Sequence, residues 1–109
     1  TENFIREMGR ERRLPKAEMT NFYKDVAASA QKHFEHVLLK IVAYYTQLTG
    51  YHNICLAGGS ALNCVANQQV MNASFVDELF IQPAANDAGI ALGAAWLQSK
   101  VYREAPVPP

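Results

Sequence analysis

The sequence predicts a helix-rich α/β fold in which two short parallel strands are flanked by helices, and three observations predict it. The apolar run ICLA at residues 54–57 breaks at Gly58 and Gly59 and opens straight into SALNCVANQQV. A second run, LFI at residues 79–81, breaks at QPAAND and opens into GIALGAAW. The resulting order of strand, helix, strand, helix calls for a right-handed crossover, because parallel neighbours need a long connection. Both junctions aim the unpaired N–H groups of a helix start at whatever sits between strand and helix.

The elements follow in order. Residues 2–13 mix Phe4, Ile5 and Met8 with Arg6, Glu7, Arg10, Glu11, Arg12 and Arg13, a spacing compatible with a short surface helix that Pro15 stops. Thr20 is placed to cap a long helix in which Phe22, Val26, Ala30, Phe34, Leu38, Ile41, Val42, Tyr45 and Leu48 recur near helical spacing, with Gly50 as its left-handed stop. The first strand spans residues 53–57, the next helix 61–70, the second strand 79–82 and the last helix 87–100. Segment 1–16 is read as a charged lead-in, 17–101 as the folded body, and 102–109, ending EAPVPP, as a disordered Pro-rich tail.

Two strands are too few for a finished parallel sheet, which is normally covered on both faces. The last helix, from Ala88 to Leu97, is apolar or small all the way round, as in a helix buried on every side. Too little chain is present to cover it, so further strands and a facing lobe are expected from elsewhere, or from a second copy by self-association. The chain also begins at Thr1, a hint that it belongs to something longer.

Composition excludes several classes. Ten acidic residues balance ten basic ones, which leaves no basic field for nucleic acid. The longest apolar stretch falls well short of the roughly 20 residues that span a bilayer, so no membrane segment is expected. Cys55 and Cys64 lie in apolar surroundings without Cys-x-x-Cys spacing, which reads as two reduced, buried thiols in a cytoplasmic protein.

At the first junction Gly58 and Gly59 carry no Cβ to hold a phosphate or ribose away from the backbone. A helix beginning near Ser60 puts Gly59, Asn63 and Asn67 on one polar face and Leu62, Val65, Ala66 and Val70 on a core face. The Asn63 amide then leans back toward the glycine N–H groups. The plainer reading, a tight turn with solvated asparagines, stays open on spacing alone. At the second junction Asp87 is either a helix-start acid stabilised by the dipole or a metal ligand at a strand's carboxyl end. Gly89 and Gly93 allow close backbone approach, to a ligand or to a packing neighbour. His33 and His36 lack a supporting ligand set and read as a solvated or partly packed pair. His52 reads as a loop residue, and Tyr44 and Tyr45 as packing aromatics. Ser60 sits outside any G-x-S-x-G elbow, so no nucleophile and no other catalytic residue is assigned.

Three segments, AASAQKHFE at 27–35, LAGGSALNCVAN at 56–67 and LFIQPAANDAGIALGAAW at 79–96, together resemble the C-terminal half of the catalytic lobe of ATP-dependent O-carbamoyltransferases. These are enzymes of nodulation-factor and antibiotic tailoring, related to the tRNA threonylcarbamoyl-transfer protein. The resemblance implies an actin-like ATPase (ribonuclease-H-like) lobe, of which this chain is a part. It further implies that Gly58, Gly59 and Asn63 hold carbamoyl-adenylate, with the Ser60 hydroxyl near the phosphate, and that Asp87 ligates a divalent metal, iron in that family. Carbamoyl phosphate and ATP are the implied co-substrates, the adenylate being formed in a separate domain and the carbamoyl group passing to an acceptor hydroxyl. The chain departs from the pattern at Ser60, where an apolar residue is usual, and at Asn86, where glycine is usual. The family's two histidine ligands at i, i+4 spacing have no counterpart here, and Gly9 to Arg13 only loosely echo its Gly-Pro-Arg segment. The fragment is therefore expected to be inactive alone. Two other readings are a sugar- or acetate-kinase-like lobe of the same superfold and a non-catalytic interaction module.

Overall fold

The computed structural model describes residues 2–101, apart from the side chains of Lys100 and Val101. The tail at 102–109 lies outside the described residues. The elements are α1 (Glu2–Met8), α2 (Asn21–Thr49), β1 (Asn53–Leu56), a 3-10 turn (Gly59–Leu62), α3 (Cys64–Met71), β2 (Glu78–Ile81) and α4 (Gly89–Val101). They divide into two compact units, one up to Phe34 and one from Glu35 onward, with α2 contributing to both.

In the first unit α1 ends at Met8, well before Pro15, and buries none of its residues. The segment after it is tied down by its own side chains. The Arg10 guanidinium lies 4.8 Å from the centre of the Phe22 ring, a cation–π contact. The Tyr23 hydroxyl donates to the Glu11 carbonyl at 3.3 Å, and the Arg13 guanidinium donates to the Ala17 carbonyl. Thr20 does stand at the start of α2, but not as the expected side-chain cap. Its carbonyl accepts from the Tyr23 and Lys24 N–H groups at 3.1 and 3.2 Å, while its buried hydroxyl has no partner among the described residues. At the other end Gly50, with φ 72°, donates to the Thr46 carbonyl at 2.9 Å and stops the helix as its sequence position predicts.

The second unit is built on a two-stranded parallel sheet in the register Asn53↔Glu78 to Leu56↔Ile81. Side chains alternate across a strand, so Ile54, Leu56, Leu79 and Ile81 share one face, half-buried, and Cys55 and Phe80 the other, exposed. Helix α3 packs against β2. The register is clasped at both ends. Before the strands, the Asp77 N–H donates to the His52 carbonyl at 3.0 Å, and His52 Nδ1 meets the Phe75 carbonyl at 2.9 Å, which requires the Nδ1–H form. His52 is thus a loop residue with a structural contact.

The core is small: Val42, Ala61, Ala66, Val70 and Ala85, with Val70 the one large side chain sealed off completely among the described residues. Several expectations change here. Leu62 and Val65, read as core, are about half exposed, and so are Ile41, Tyr45 and Leu48 of the α2 stripe. Tyr44 and Tyr45 pack edge-to-face on each other, with ring centres 5.3 Å apart, and both remain exposed. Cys55 and Cys64 are free thiols but exposed, not buried: Cys55 lies on the sheet face that has no cover among the described residues, and Cys64 lines an open groove with Leu79 and Ile81. On α4, Ile90 and Trp96 are 70% and 64% exposed, with Leu92 and Leu97 similar. No helix of the described residues is long and apolar enough to cross a membrane.

Candidate functional site

Residues 58–63 do not form the single helix start that the spacing suggested. Gly58 adopts φ 93° and ψ 167°, a conformation closed to residues with a Cβ except under strain, and turns the chain out of β1. A 3-10 turn follows, closed by Ala61 N–H to the Gly58 carbonyl at 3.0 Å and Asn63 N–H to the Ser60 carbonyl at 3.1 Å. Only then does α3 begin, with Asn63 as its N-cap: the Asn63 Oδ1 accepts from the Ala66 N–H at 3.0 Å. The break at Asn63 rotates everything after it, so the expected polar face of Gly59, Asn63 and Asn67 does not exist. Asn67 is buried instead, its Nδ2 donating to the Ala61 carbonyl at 2.7 Å.

The two junctions meet. The Gly58 N–H donates to the Ala85 carbonyl at 2.7 Å, and the Gln82 N–H reaches the Leu56 carbonyl at 3.4 Å. Next to this bridge Ala57, Gln82, Ala84, Ala85, Asn86, Gly89 and Ile90 line an open cleft of about 260 Å³. It lies just past the carboxyl ends of both strands, the edge where open α/β sheets collect ligands. The Gly58 N–H is occupied, whereas those of Gly59 and Ser60 have no acceptor among the described residues; Gly59, Ser60, Asn63 and Asp87 are not among the described residues that line the cleft.

The second junction is shaped by Asn86 rather than Asp87. The Asn86 Oδ1 accepts from the Ala88 N–H at 3.1 Å and its carbonyl from the Gly89 N–H at 2.9 Å. An asparagine here folds the turn through its own side chain, which accounts for the residue that departs from the resemblance. Asp87 gives only its carbonyl to the helix start, to the Ile90 N–H at 3.1 Å. Its carboxylate is exposed and unpartnered among the described residues. Gly89 is a packing glycine: a Cβ there would stand 2.2 Å from the Ala84 carbonyl oxygen. A Cβ at Gly93 would meet none of the described residues within 4 Å.

Among the described residues no three His, Cys, Asp or Glu side chains gather into a cluster able to hold a metal. His33 and His36 are both exposed. One carboxylate does not make a metal site, so the residues present do not by themselves fit the metal that the resemblance implies.

Residues 2–96 match the family described as carbamoyltransferase N-terminus. The chain belongs to this family. The match takes in residues 2–26 as well, which the three motifs do not reach. Among curated relatives, the chain is 41% identical over 88 residues to nodulation protein NolO of Bradyrhizobium diazoefficiens, covering 80% of this chain and 16% of that protein. It is 39% identical over 80 residues to nodulation protein NolNO of Sinorhizobium fredii, covering 73% and 12% respectively. Nodulation protein U of Bradyrhizobium diazoefficiens is 36% identical over 76 residues, covering 66% and 13%. This carbamoyltransferase-family chain thus spans about a sixth or less of the length of these relatives. No solved structure matches it.

Proposed function

We propose that the chain forms one wall of the nucleotide site of a carbamoyltransferase, part of the second lobe of an actin-like ATPase fold, and that the glycine turn holds carbamoyl-adenylate. The observation that carries this reading is the Gly58 to Ala85 hydrogen bond, which brings both strand-to-helix junctions to one edge beside a cleft. Family membership favours carbamoyl transfer over the kinase-like reading and over a module without a site. The Gly59 and Ser60 N–H groups would donate to the adenylate phosphate, helped by the Ser60 hydroxyl. The Asn63 Oδ1 is committed to its cap, and Asn63 is proposed as part of the wall of the adenylate site beside the glycines. During transfer the acceptor hydroxyl oxygen bonds to the carbamoyl carbon and gives up its proton, the carbon becomes tetrahedral with a negative oxygen, and the bond to the phosphate oxygen then breaks to release AMP; aligned backbone N–H groups lower the energy of such an oxyanion. Asp87 is proposed as a single ligand of a divalent metal, iron, the remaining ligands coming from outside the described residues. ATP and carbamoyl phosphate are the proposed co-substrates, activated in another part of the enzyme.

Titration of the 15N-labelled chain with AMP tests the core of this proposal. Saturable shifts are expected at the Gly59 and Ser60 amides, with β1 and β2 little changed. Titration with no shift at those two amides would remove the adenylate assignment.

The bare face of α4 supports a second expectation, that the isolated chain self-associates. Sedimentation should show association rising with concentration, and the pair Leu92→Lys and Trp96→Glu should suppress it, because each puts a charge on the apolar surface. A compact, stable monomer at all concentrations would contradict the idea that this helix requires a cover.

A further inference from the structure

The glycine turn is gripped at two points. On one side the Gly58 N–H donates to the Ala85 carbonyl. On the other, from inside the core, Asn67 Nδ2 donates to the Ala61 carbonyl at 2.7 Å. We propose that Asn67 is a positioning residue, whose amide holds the turn in the shape that presents the Gly59 and Ser60 N–H groups; this rests on the reading of that turn as the adenylate site.

Stability does not account for this amide. Asn67 is 7% exposed, and its Oδ1 is buried with no hydrogen-bond partner among the described residues. A neutral hydrogen bond returns less to stability than a buried orphan acceptor removes. Turning the amide over would not help, because Oδ1 would then face the Ala61 carbonyl and Nδ2 would be the orphan. A leucine of similar volume would remove the orphan Oδ1 and leave the Ala61 carbonyl unpartnered in its place, so the hydrogen-bond balance is near neutral while apolar burial favours leucine. What the amide does supply is geometry. Ala61 is 5% exposed, and its N–H already donates to the Gly58 carbonyl. With its carbonyl held by Asn67 as well, both peptide groups flanking Ala61 are fixed. Gly59 and Ser60, lying between two anchored points, lose the freedom to swing. Neither Asn67 nor Ala61 lines the cleft at the second junction, so Asn67 would act only through the turn.

Two substitutions in the full chain separate positioning from plain structural support. Asn67→Leu is expected to leave the melting temperature unchanged or raised. It should speed hydrogen exchange at the Ala61 and Asn63 amides about tenfold while leaving the Gln82 amide as it was, and weaken AMP about tenfold, the scale of one lost hydrogen bond. A merely structural residue would instead lower the melting temperature and speed exchange throughout the unit. Asn67→Asp supplies the rescue. A carboxylate there would repel the Ala61 carbonyl, but its protonated form donates to it as the amide does, and burial raises the pKa of such an acid. AMP affinity of Asn67→Asp relative to the unchanged chain should therefore recover as pH falls through that raised pKa and be lost as pH rises. Cys64, the one titratable side chain among the described residues lining the adjoining groove of about 440 Å³, is replaced by serine in both proteins so that it does not contribute. Unchanged exchange at Ala61 and Asn63 in Asn67→Leu, or a flat affinity ratio with pH in Asn67→Asp, would overturn the inference. If the unchanged chain binds no AMP, the adenylate reading fails instead, and the exchange measurement still decides whether Asn67 holds the turn.

Discussion

Gly89→Ala is expected to destabilise the second unit by about 2–3 kcal/mol, the upper part of the range for overpacking a close contact. The added Cβ would stand 2.2 Å from the Ala84 carbonyl oxygen and 3.4 Å from its carbon, and that neighbour is backbone, which cannot rotate aside. Ala84 is itself held, because its N–H donates to the Gln82 side chain, and the next residue, Ala85, accepts the Gly58 N–H. Any shift that relieves the clash therefore loosens the bridge between the two junctions. Gly93→Ala provides the comparison within the same helix. No described residue lies within 4 Å of a Cβ at Gly93, so in the isolated chain alanine there should stabilise by up to about 1 kcal/mol through helix propensity alone. Thermal melts followed by circular dichroism should move in opposite directions for the two variants. Equal melting temperatures would show that α4 does not sit on Ala84 as described.

Gly59→Val is expected to leave stability within about 1 kcal/mol, as for substitutions away from packed sites, yet abolish AMP binding. The two glycines of the turn differ in what requires them. Gly58 has φ 93°, so any side chain there strains the backbone, at a cost of about 1–3 kcal/mol. Gly59 has no such φ, and no described residue lies within 4 Å of a Cβ built on it. The protein itself therefore leaves room for a side chain at Gly59. A valine would crowd its own N–H and that of Ser60, where the proposed phosphate would approach. Calorimetric titration with AMP, paired with a melt, checks both halves of the prediction. Retained affinity in a folded Gly59→Val chain would move the phosphate away from this turn.

Much of the fold could be read from residue order. The long α2 helix, its stop at Gly50, both strands and the exposed apolar α4 lie within a few residues of where periodicity and turn chemistry put them, because those signals are local. The internal division of residues 58–67 could not be read that way. Helical spacing from Ser60 made Asn63 and Asn67 neighbours on a polar face, but Asn63 breaks the helix by capping it, and a cap depends on the backbone at Asn63, not on spacing. The asparagine at position 86 looked like a minor departure, yet it takes over the turn and leaves the Asp87 carboxylate unengaged. The thiols were misplaced for the opposite reason. An apolar setting normally implies burial, but here the covering layer is absent among the described residues.

Local chemistry alone decided that two apolar runs end in small or turn-forming residues and pass into helices, and the linked motifs decided the family. Only the tertiary structure decided that the two junctions share one edge, that Gly58 needs its missing side chain for the backbone and Gly89 for packing, and that Asn67 faces inward onto Ala61. The physical reason is that hydrogen bonds such as Gly58 to Ala85 join residues far apart in the chain, and no pattern of neighbours along a sequence contains the distance between them.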